Sequence, residues 1–444
     1  MIFTQFVDDA LGCASYLVGD PGTGAAVVVD PAFAIEQYLE DAERQGVRLI
    51  RTVETHTHAD HLSGHGRLAL EHGLPVSIHR AAKPEYPHDP LDDGAETELG
   101  DVVLRCIHTP GHRPEHCCLA VLDRTRGDEP WIVLTGDSLF VGDVARPDLA
   151  VEAREGAEGL FHSLRRIVEL GDGVEVYPGH VAGSLCGKAM SSKASTTVGF
   201  ERRFNAALAF SDVASFVAES AAISAPRPPN MERIVELNRG PFVGAPAEPQ
   251  ELESPPGGAQ VLDVRPVERF ATGHRPGALN VPVAGTRFST KAAFVLDASR
   301  PVVVSGSDEA EIAAAVRGLH SVGFLDLAGS VTGEGPETLT LVDVDEVDTL
   351  LADGAMLVDV REKDERDDGY IPGSQNVPYR LLARGANELP HDRPLVTICE
   401  SGPRAAIAAS ILAARGYDAR AVSPGGIDAW HAAGGQLVEF RRCG

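Results

Sequence analysis

"HTHADHLSGHG", residues 56–66, places His56, His58, Asp60 and His61 within six consecutive positions. Imidazole nitrogens and carboxylate oxygens at that density are the donor set of zinc and non-haem iron. The stretch directly follows a strand-like run, "LIRTVET" (49–55). Three more residues of ligand type recur in the same setting. His112 follows "RCIHTPG", Asp137 follows "WIVLTG" and His180 follows "VEVYPG". A rigid sheet can hold side chains from several strand ends around one point, so the spacing predicts a single metal centre.

Outward from that stretch, short apolar runs alternate with helical patterns. "AAVVVD" (25–30), "LIRTVE" (49–54), "DVVLRCI" (101–107) and "WIVLTGD" (131–137) read as strands, while 34–46, 62–72 and 153–170 carry helical spacing. Residues 240–260, "GPFVGAPAEPQELESPPGGAQ", are rich in Pro, Gly and Glu and read as a linker. Beyond it the chain repeats. "VLDVRPVERFATGHRPGALNVP" (261–282) matches "LVDVREKDERDDGYIPGSQNVP" (357–378) at an offset of 96, and "RPVVVSGSDEAE" (300–311) matches "RPLVTICESGPR" (393–404) at an offset of 93. One domain has been duplicated. The expected organisation is an α/β metal domain with a C-terminal extension over 1–240, a linker over 241–257, and two copies of a smaller α/β domain over 258–337 and 338–444.

The bulk composition narrows the partners. A formal charge of -26 over 444 residues repels phosphate backbones, which excludes a nucleic-acid partner. No run of about 18 apolar residues is present to span a membrane. The first residues lack the basic region and apolar core of a signal peptide, so a cytoplasmic location is expected. Seven scattered cysteines, odd in number and without a Cys-x-x-Cys, disfavour a disulfide framework. Cys117 and Cys118, in the strand-like "HCCLAVLD", read as small buried residues.

In the second copy "PLVTIC" (394–399) is a buried-strand pattern that ends at Cys399 and turns, through "ESGPR", into an alanine-rich helix. Strand, short glycine-containing loop and helix aim successive N–H groups at one anion. The helix terminus alone stabilises a thiolate there by about 0.3–1 kcal/mol, so direct N–H bonds and Arg404 must supply the rest. This half resembles the rhodanese family through "LVDVRE", "GYIPGSQNVP", the loop from Cys399 to Arg404 and "GGIDAW" (425–430). The resemblance implies that Cys399 carries a persulfide sulfur and that Arg404 helps bind thiosulfate or sulfite. In the middle copy Gly306 falls where Cys399 lies, with Ser305 the alternative under a one-residue shift, and Glu311 replaces Arg404. Neither residue stores sulfur, and the carboxylates of "GSDEAE" repel an oxyanion. The middle copy is therefore expected to be inactive, a spacer or docking surface.

The N-terminal pattern, H-x-H-x-D-H followed by His112, Asp137 and His180, resembles the metallo-β-lactamase superfamily. That resemblance implies an αββα sandwich and offers two metal chemistries. In one, His56, His58 and His112 bind one zinc, Asp60, His61 and His180 a second, and Asp137 bridges them, as in a glyoxalase II-like thioester hydrolase. In the other, one Fe(II) per chain is held by His56, His112 and Asp137, as in the superfamily's persulfide dioxygenases, and His58, Asp60, His61 and His180 orient and tune it. The segments "GDSLFVGDVARPDL" (136–149) and "GHVAGSLCGKAMSSKASTTVGFE" (179–201) resemble the persulfide dioxygenases fused to rhodaneses, which favours iron. Cys186 either packs under its loop or faces the metal and relays a persulfide sulfur. Lys188, Arg202 and Arg146 are candidate anchors for an anionic thiol carrier. The implied partners are a low-molecular-weight thiol persulfide, O2 and sulfite or thiosulfate, and assembly into a homo-oligomer stays open.

Overall fold

The computed structural model describes residues 1–181, 190–221, 226–385 and 388–439. The chain divides into two compact units, Met1–Pro246 with His320–Gly323, and Ala247–Leu319 with Phe324–Gly444. Among the described residues no helix is long and apolar enough to cross a membrane.

The first unit is built on two six-stranded sheets. The first follows chain order: β1 (Ile2–Asp8), β2 (Cys13–Asp20), β3 (Ala25–Val29), β4 (Arg48–Val53), β5 (Val76–His79) and β6 (Asp89–Leu91). The second comprises β7 (Glu96–Glu98), β8 (Val102–His108), β9 (Cys117–Asp123), β10 (Pro130–Gly136), β11 (Glu175–Pro178) and β12 (Thr196–Thr197), also laid side by side in chain order. The helices are α1 (Glu36–Gln45), α2 (His65–His72), α3 (Ala153–Val168), α4 (Val198–Phe204), α5 (Val213–Ser220) and α6 (Met231–Arg239).

Alternation along the strands assigns the layers. Val27 and Val29 join Tyr16, Leu104, Leu119 and Leu134 in the core between the sheets. Val28 points the other way, onto Tyr38 and Ala42 of α1. Likewise Val103, Ala120 and Val133 leave the outer face of the second sheet to pack with Leu160 and Leu164 of α3 and Phe216 of α5. Each such valine or leucine contributes about 1.5–3 kcal/mol by leaving water. The result is an αββα sandwich. Strands β4, β8, β10 and β11 end at Val53, His108, Gly136 and Pro178, so the loops bearing His56, His112, Asp137 and His180 all begin at strand ends.

The second unit holds two parallel sheets. The first takes the order β14-β13-β15-β16 and the second β17-β21-β20-β18-β19. In the middle copy the elements are β13 (Gln260–Asp263), α7 (Val267–Thr272), β14 (Leu279–Asn280), α8 (Phe288–Val295), β15 (Val302–Gly306), α9 (Glu309–His320) and β16 (Gly329–Thr332). In the C-terminal copy they are β17 (Thr340–Val342), α10 (Val347–Ala352), β18 (Met356–Asp359), α11 (Lys363–Asp367), β19 (Gln375–Asn376), α12 (Tyr379–Gly385), β20 (Leu395–Ile398), α13 (Pro403–Ala413), β21 (Ala419–Val422) and α14 (Ile427–Ala432). Part of the stretch read as a linker is tied in, since Leu252 N donates to Ser330 O and Ser330 N to Gln250 O, both at 2.8 Å.

The repeat survives as chemistry. Arg265 pairs with Asp263 (2.6 Å) and Arg361 with Asp359 (2.9 Å), each guanidinium also reaching a carbonyl eight residues on, at Gly273 and Gly369. Asn280 Nδ2 donates to the carbonyls of Asp263 and Arg265, and Asn376 Nδ2 to those of Asp359 and Arg361. Strand register also decides between Gly306 and Ser305. Asp263 lies opposite Ser305 as Asp359 lies opposite Ile398, so Gly306 is the counterpart of Cys399.

Asn280 is wholly buried, and its amide satisfies two carbonyls of the conserved turn geometry shared by the copies. Asn280→Ala should lower the stability of the second unit by about 1–3 kcal/mol, the penalty for stranding buried acceptors. Urea unfolding followed by circular dichroism reads it as a lower midpoint.

Candidate metal centre

Every residue of the motif is carried on a loop leaving a strand of the first unit, and nearly all are buried. His56, His112 and Asp137 bring one ligand atom each into a group whose members lie within 4.8 Å of one another. His112 Nε2 is 3.5 Å and His56 Nε2 4.0 Å from Asp137 Oδ2. His180 Nε2 lies 3.2 Å from the same oxygen and 3.4 Å from Asp60 Oδ2, which joins the two halves of the cluster. His58, Asp60 and His61 form a second group with the same ligand-atom spacing.

Backbone oxygens and a hydroxyl fix the tautomers. His112 Nδ1 donates to Arg146 O (3.3 Å) and His180 Nδ1 to Gly12 O (3.1 Å). A carbonyl only accepts, so Nδ1 carries the proton and Nε2 is the atom presented to Asp137. His56 reaches the same state through Thr55. The Thr55 hydroxyl gives its one proton to Asp30 Oδ2 (2.7 Å) and accepts from His56 Nδ1 (2.9 Å).

His58 is turned differently. Its Nε2 donates to Glu54 Oε2 at 3.1 Å and sits 3.3 Å from Asp30 Oδ1, and among the described residues Nδ1 has no partner. Burial opposes a charge on His58, but Asp30 and Glu54 outweigh it and raise its pKa well above the ordinary value. Burial likewise opposes charge on Glu54, yet hydrogen bonds from His58 and His65 hold it down to about 2. Asp137 and Asp60 stand below the usual carboxylate range, burial being outweighed in both by the nearby His180. Burial, reinforced by His58 and His112, keeps His56 well below its ordinary value, and burial lowers His112.

These residues fit a cation. Asp137 Oδ1, His61 Nε2 and His58 Nδ1 are buried polar atoms without a hydrogen-bond partner among the described residues. An unpartnered buried carboxylate oxygen is costly unless something positive meets it.

Two glycines make room. A Cβ on Gly179 would stand 2.8 Å from Asp137 Oδ1, and one on Gly136 (φ 46°) would stand 2.7 Å from both His116 Nε2 and Thr55 Oγ1. His116 accepts the Asp137 N–H at Nε2 (3.0 Å) and donates from Nδ1 to Thr109 O (3.1 Å). Burial, with His112 beside it, takes His116 down to about 3, the neutral form this pattern requires.

Asn238, on α6, staples the ligand loop: Nδ2 donates to His58 O (3.0 Å) and His61 O (2.9 Å), and Oδ1 accepts from Ser63 N (2.9 Å). Sequence reasoning missed Asp30, Glu54, His116 and Asn238. Asp30 and Glu54 could have been found, because each is a carboxylate placed just past a strand end, Glu54 directly before the motif. A single asparagine in a distant helix carries no such signal.

The other candidates fall elsewhere. The Arg146 guanidinium binds Asp148 through two nitrogens (2.7 and 2.8 Å) and Pro226 O, while its carbonyl accepts from His112. Arg202 pairs with Asp172 on the surface, at 2.5 Å, whereas the histidines are buried. Cys186 and Lys188 lie outside the described residues.

In the second unit Cys399 is buried at the end of β20, and Gly402 N donates to its Sγ at 3.1 Å. Arg404 forms a two-pronged pair with Glu365 at 2.6 and 2.7 Å. The middle copy has closed its own cradle. Glu311, in Arg404's place, accepts the Ser307 N–H at 2.6 Å.

A sandwich of this kind with a histidine–aspartate cluster at its strand ends, followed by duplicated parallel domains, defines a class. The Metallo-beta-lactamase superfamily matches residues 8–180, and the Rhodanese-like domain matches 248–333 and 343–433. The chain belongs to the metallo-beta-lactamase superfamily, extended by two rhodanese-like domains. It is therefore an enzyme whose fold implies a divalent metal.

Among particular relatives, the mitochondrial persulfide dioxygenase ETHE1 of Bos taurus is 30% identical over 230 residues, covering 50% of this chain and 82% of the relative. A probable polyketide biosynthesis zinc-dependent hydrolase, BaeB of Bacillus velezensis, is 27% identical over 192 residues, covering 42% of this chain and 80% of that one. The crystal structure of a metallo-beta-lactamase from Staphylococcus aureus is similar with a TM-score of 0.69 and 27% identity, over 75% of this chain and 98% of that one.

Gly179→Ala should cost the centre its metal without unfolding the sandwich, because the new methyl competes with Asp137 Oδ1 for space. Metal content by plasma emission spectroscopy should fall well below the wild-type value while the far-ultraviolet circular dichroism is unchanged.

Proposed function

We propose that the first unit is a non-haem iron persulfide dioxygenase and that Cys399 is the sulfur carrier of a linked sulfurtransferase. The observation that carries the first half is the buried set of two histidines and one carboxylate, His56, His112 and Asp137, with His58 drawn to Asp30 and Glu54 instead. Two histidines and one carboxylate leave positions open at ferrous iron. Iron supplies the redox chemistry toward O2 that zinc lacks. The likeness to a persulfide dioxygenase supports the same choice.

The overall reaction would consume a thiol persulfide RSSH, O2 and water, and release RSH, sulfite and two protons. Oxygen is reduced and the outer sulfur oxidised. In this reading His56, His112 and Asp137 hold the metal. His180 and Asp60 fix the Asp137 carboxylate, and Thr55, Arg146 O and Gly12 O keep each imidazole turned inward. Asn238 keeps the loop rigid, and burial keeps bulk water from the reacting sulfur. Residues 1–240 would carry this chemistry, with 241–257 leading into the middle domain (258–337) and the transferase domain (338–444). Cys186 and Lys188 remain proposed substrate contacts, and Arg202 and the Arg146 guanidinium are weaker candidates given their ion pairs. Among the described residues the five cysteines are buried and unbridged, which suits a reducing cytoplasm.

At the second site the Cys399 thiolate would attack the outer sulfur of thiosulfate, the S–S bond breaking and sulfite leaving with the electron pair. The reverse step returns sulfur to sulfite and frees the thiolate. Gly402 N and Arg404 face the charges involved. For net thiosulfate formation a second thiol persulfide would load Cys399, the thiolate attacking its outer sulfur with RS− leaving. Sulfite from the first site would then take that sulfur and free the thiolate, a sulfide-detoxifying sequence.

One observation favours the rival dizinc thioester hydrolase: His61 Nε2 is buried and unpartnered beside Asp60 and His180, as a second metal would require. Metal counting separates the two. About one iron per chain and persulfide-dependent oxygen uptake are expected, both lost in Asp137→Ala. Two zincs, thioester hydrolysis and no oxygen uptake would overturn the dioxygenase.

The linkage has its own test. With persulfide and O2 supplied at low enzyme concentration, wild type should accumulate thiosulfate and Cys399→Ser sulfite. Equal product ratios would remove the coupling.

A further inference from the structure

The Cys399 cradle raises a charge problem. Thiosulfate is a dianion at neutral pH and sulfite is partly so, yet the one cation that the loop itself supplies, Arg404, is already neutralised by its two-pronged bond to Glu365. Glu400, next to the cysteine, adds a further carboxylate, paired at 3.0 Å with Arg361. Within the C-terminal copy the site is thus close to balanced before substrate arrives.

The missing charge stands on the other copy. The two copies share a packed seam built on the very elements that form the cradle. Asn280 N, at the end of β14, donates to Ser410 Oγ in the middle of α13 at 3.0 Å, and both residues are wholly buried. Phe294 of α8 meets Tyr379 of α12 edge to face, ring centroids 6.3 Å apart.

Lys291 and Arg287 lie on the same helix as Phe294, one turn and two turns toward its N-terminus. Arg287 occupies the N-cap in the left-handed region (φ 56°), an uncommon state for a side chain other than glycine. Lys291 Nζ donates to the Thr286 carbonyl at 2.7 Å, and among the described residues it makes no ion pair. Its ammonium lies within electrostatic reach of Cys399 and Arg404, and Tyr379 within reach of both Arg404 and Arg287. Burial, with Arg287 and Arg404 adding to it, brings Lys291 down to about 8, so it is charged at neutral pH.

We propose that the transferase site is composite: the middle copy, inactive in its own cradle, supplies Lys291 and Arg287 as the cationic wall that recognises the second negative charge of the sulfur oxyanion at Cys399. This rests on the reading of Cys399 as the sulfur carrier. It gives the middle copy a role that its own sequence loop denies it. The wall acts on binding and not on the bond-breaking step, because the charge it meets is present in substrate and transition state alike.

The test uses the full-length protein, cyanide as acceptor, and two donors that differ by one charge, thiosulfate (dianion) and methanethiosulfonate (monoanion). Lys291→Met should raise KM for thiosulfate about tenfold and leave kcat within about twofold, the signature of lost uniform binding. KM for methanethiosulfonate should move by less than about threefold, and Lys291→Arg should restore most of the thiosulfate affinity. Arg287→Gln, at an exposed position, should act in the same direction by about threefold and serves if Lys291→Met fails to fold. Unchanged KM in both variants, or equal losses for both donors without rescue by arginine, would overturn the composite site. Transfer that persists in Cys399→Ser would instead overturn the sulfur-carrier reading beneath it.

Discussion

Asp137 is a buried carboxylate with one oxygen that no hydrogen bond reaches among the described residues. Such a group is among the most costly to enclose in a protein, and the rest of the first unit is arranged to make it tolerable. His180 and His112 turn their Nε2 atoms toward it, and backbone carbonyls fix those rings. His116 orients its backbone N–H, and Gly179 keeps the space before Oδ1 clear. Each loop starts at a strand end, so the sandwich core that welds the two sheets also sets the distances within the cluster. The geometry of the cluster is inherited from sheet packing, which is why a fold built of short strands can hold it.

Much of this was legible in the sequence. The seven ligand-type residues, their position after apolar runs and the 96-residue repeat all follow from patterns that local chemistry imposes. Strands β3, β4, β8 and β10 and helices α1, α2 and α3 stand within a few residues of where periodicity puts them. Strand β2, "CASYLVGD", is buried along its whole length, so alternation is hidden there. Strands β6 and β7 are three residues each and too short to carry a pattern.

In the site, what escaped was support at long range. Asn238 bonds to residues 177 and 180 positions away, and no spacing rule connects them. The register of β13 against β15 resolved the choice between Gly306 and Ser305, which the sequence left open because a one-residue slip costs nothing in a string of letters. Arg202 and Arg146 show what composition cannot give, since each basic side chain near the motif also pairs with a neighbouring aspartate, Asp172 and Asp148.

The middle copy's loop has consequences for descent as well as for chemistry. Glu311 fills the anion cradle with its own carboxylate, and a Cβ at Gly306 would stand 2.7 Å from Ile312 Cγ1. A cysteine regained at 306 alone would meet a steric clash and a resident negative charge, so it would confer no activity on which selection could act. Revival needs coordinated changes at 306, 311 and 312, each without benefit until the others are present. If this copy is inactive, as its loop implies, the closed cradle would work as a ratchet: the duplicate could wander toward new surface roles but not back to the old reaction.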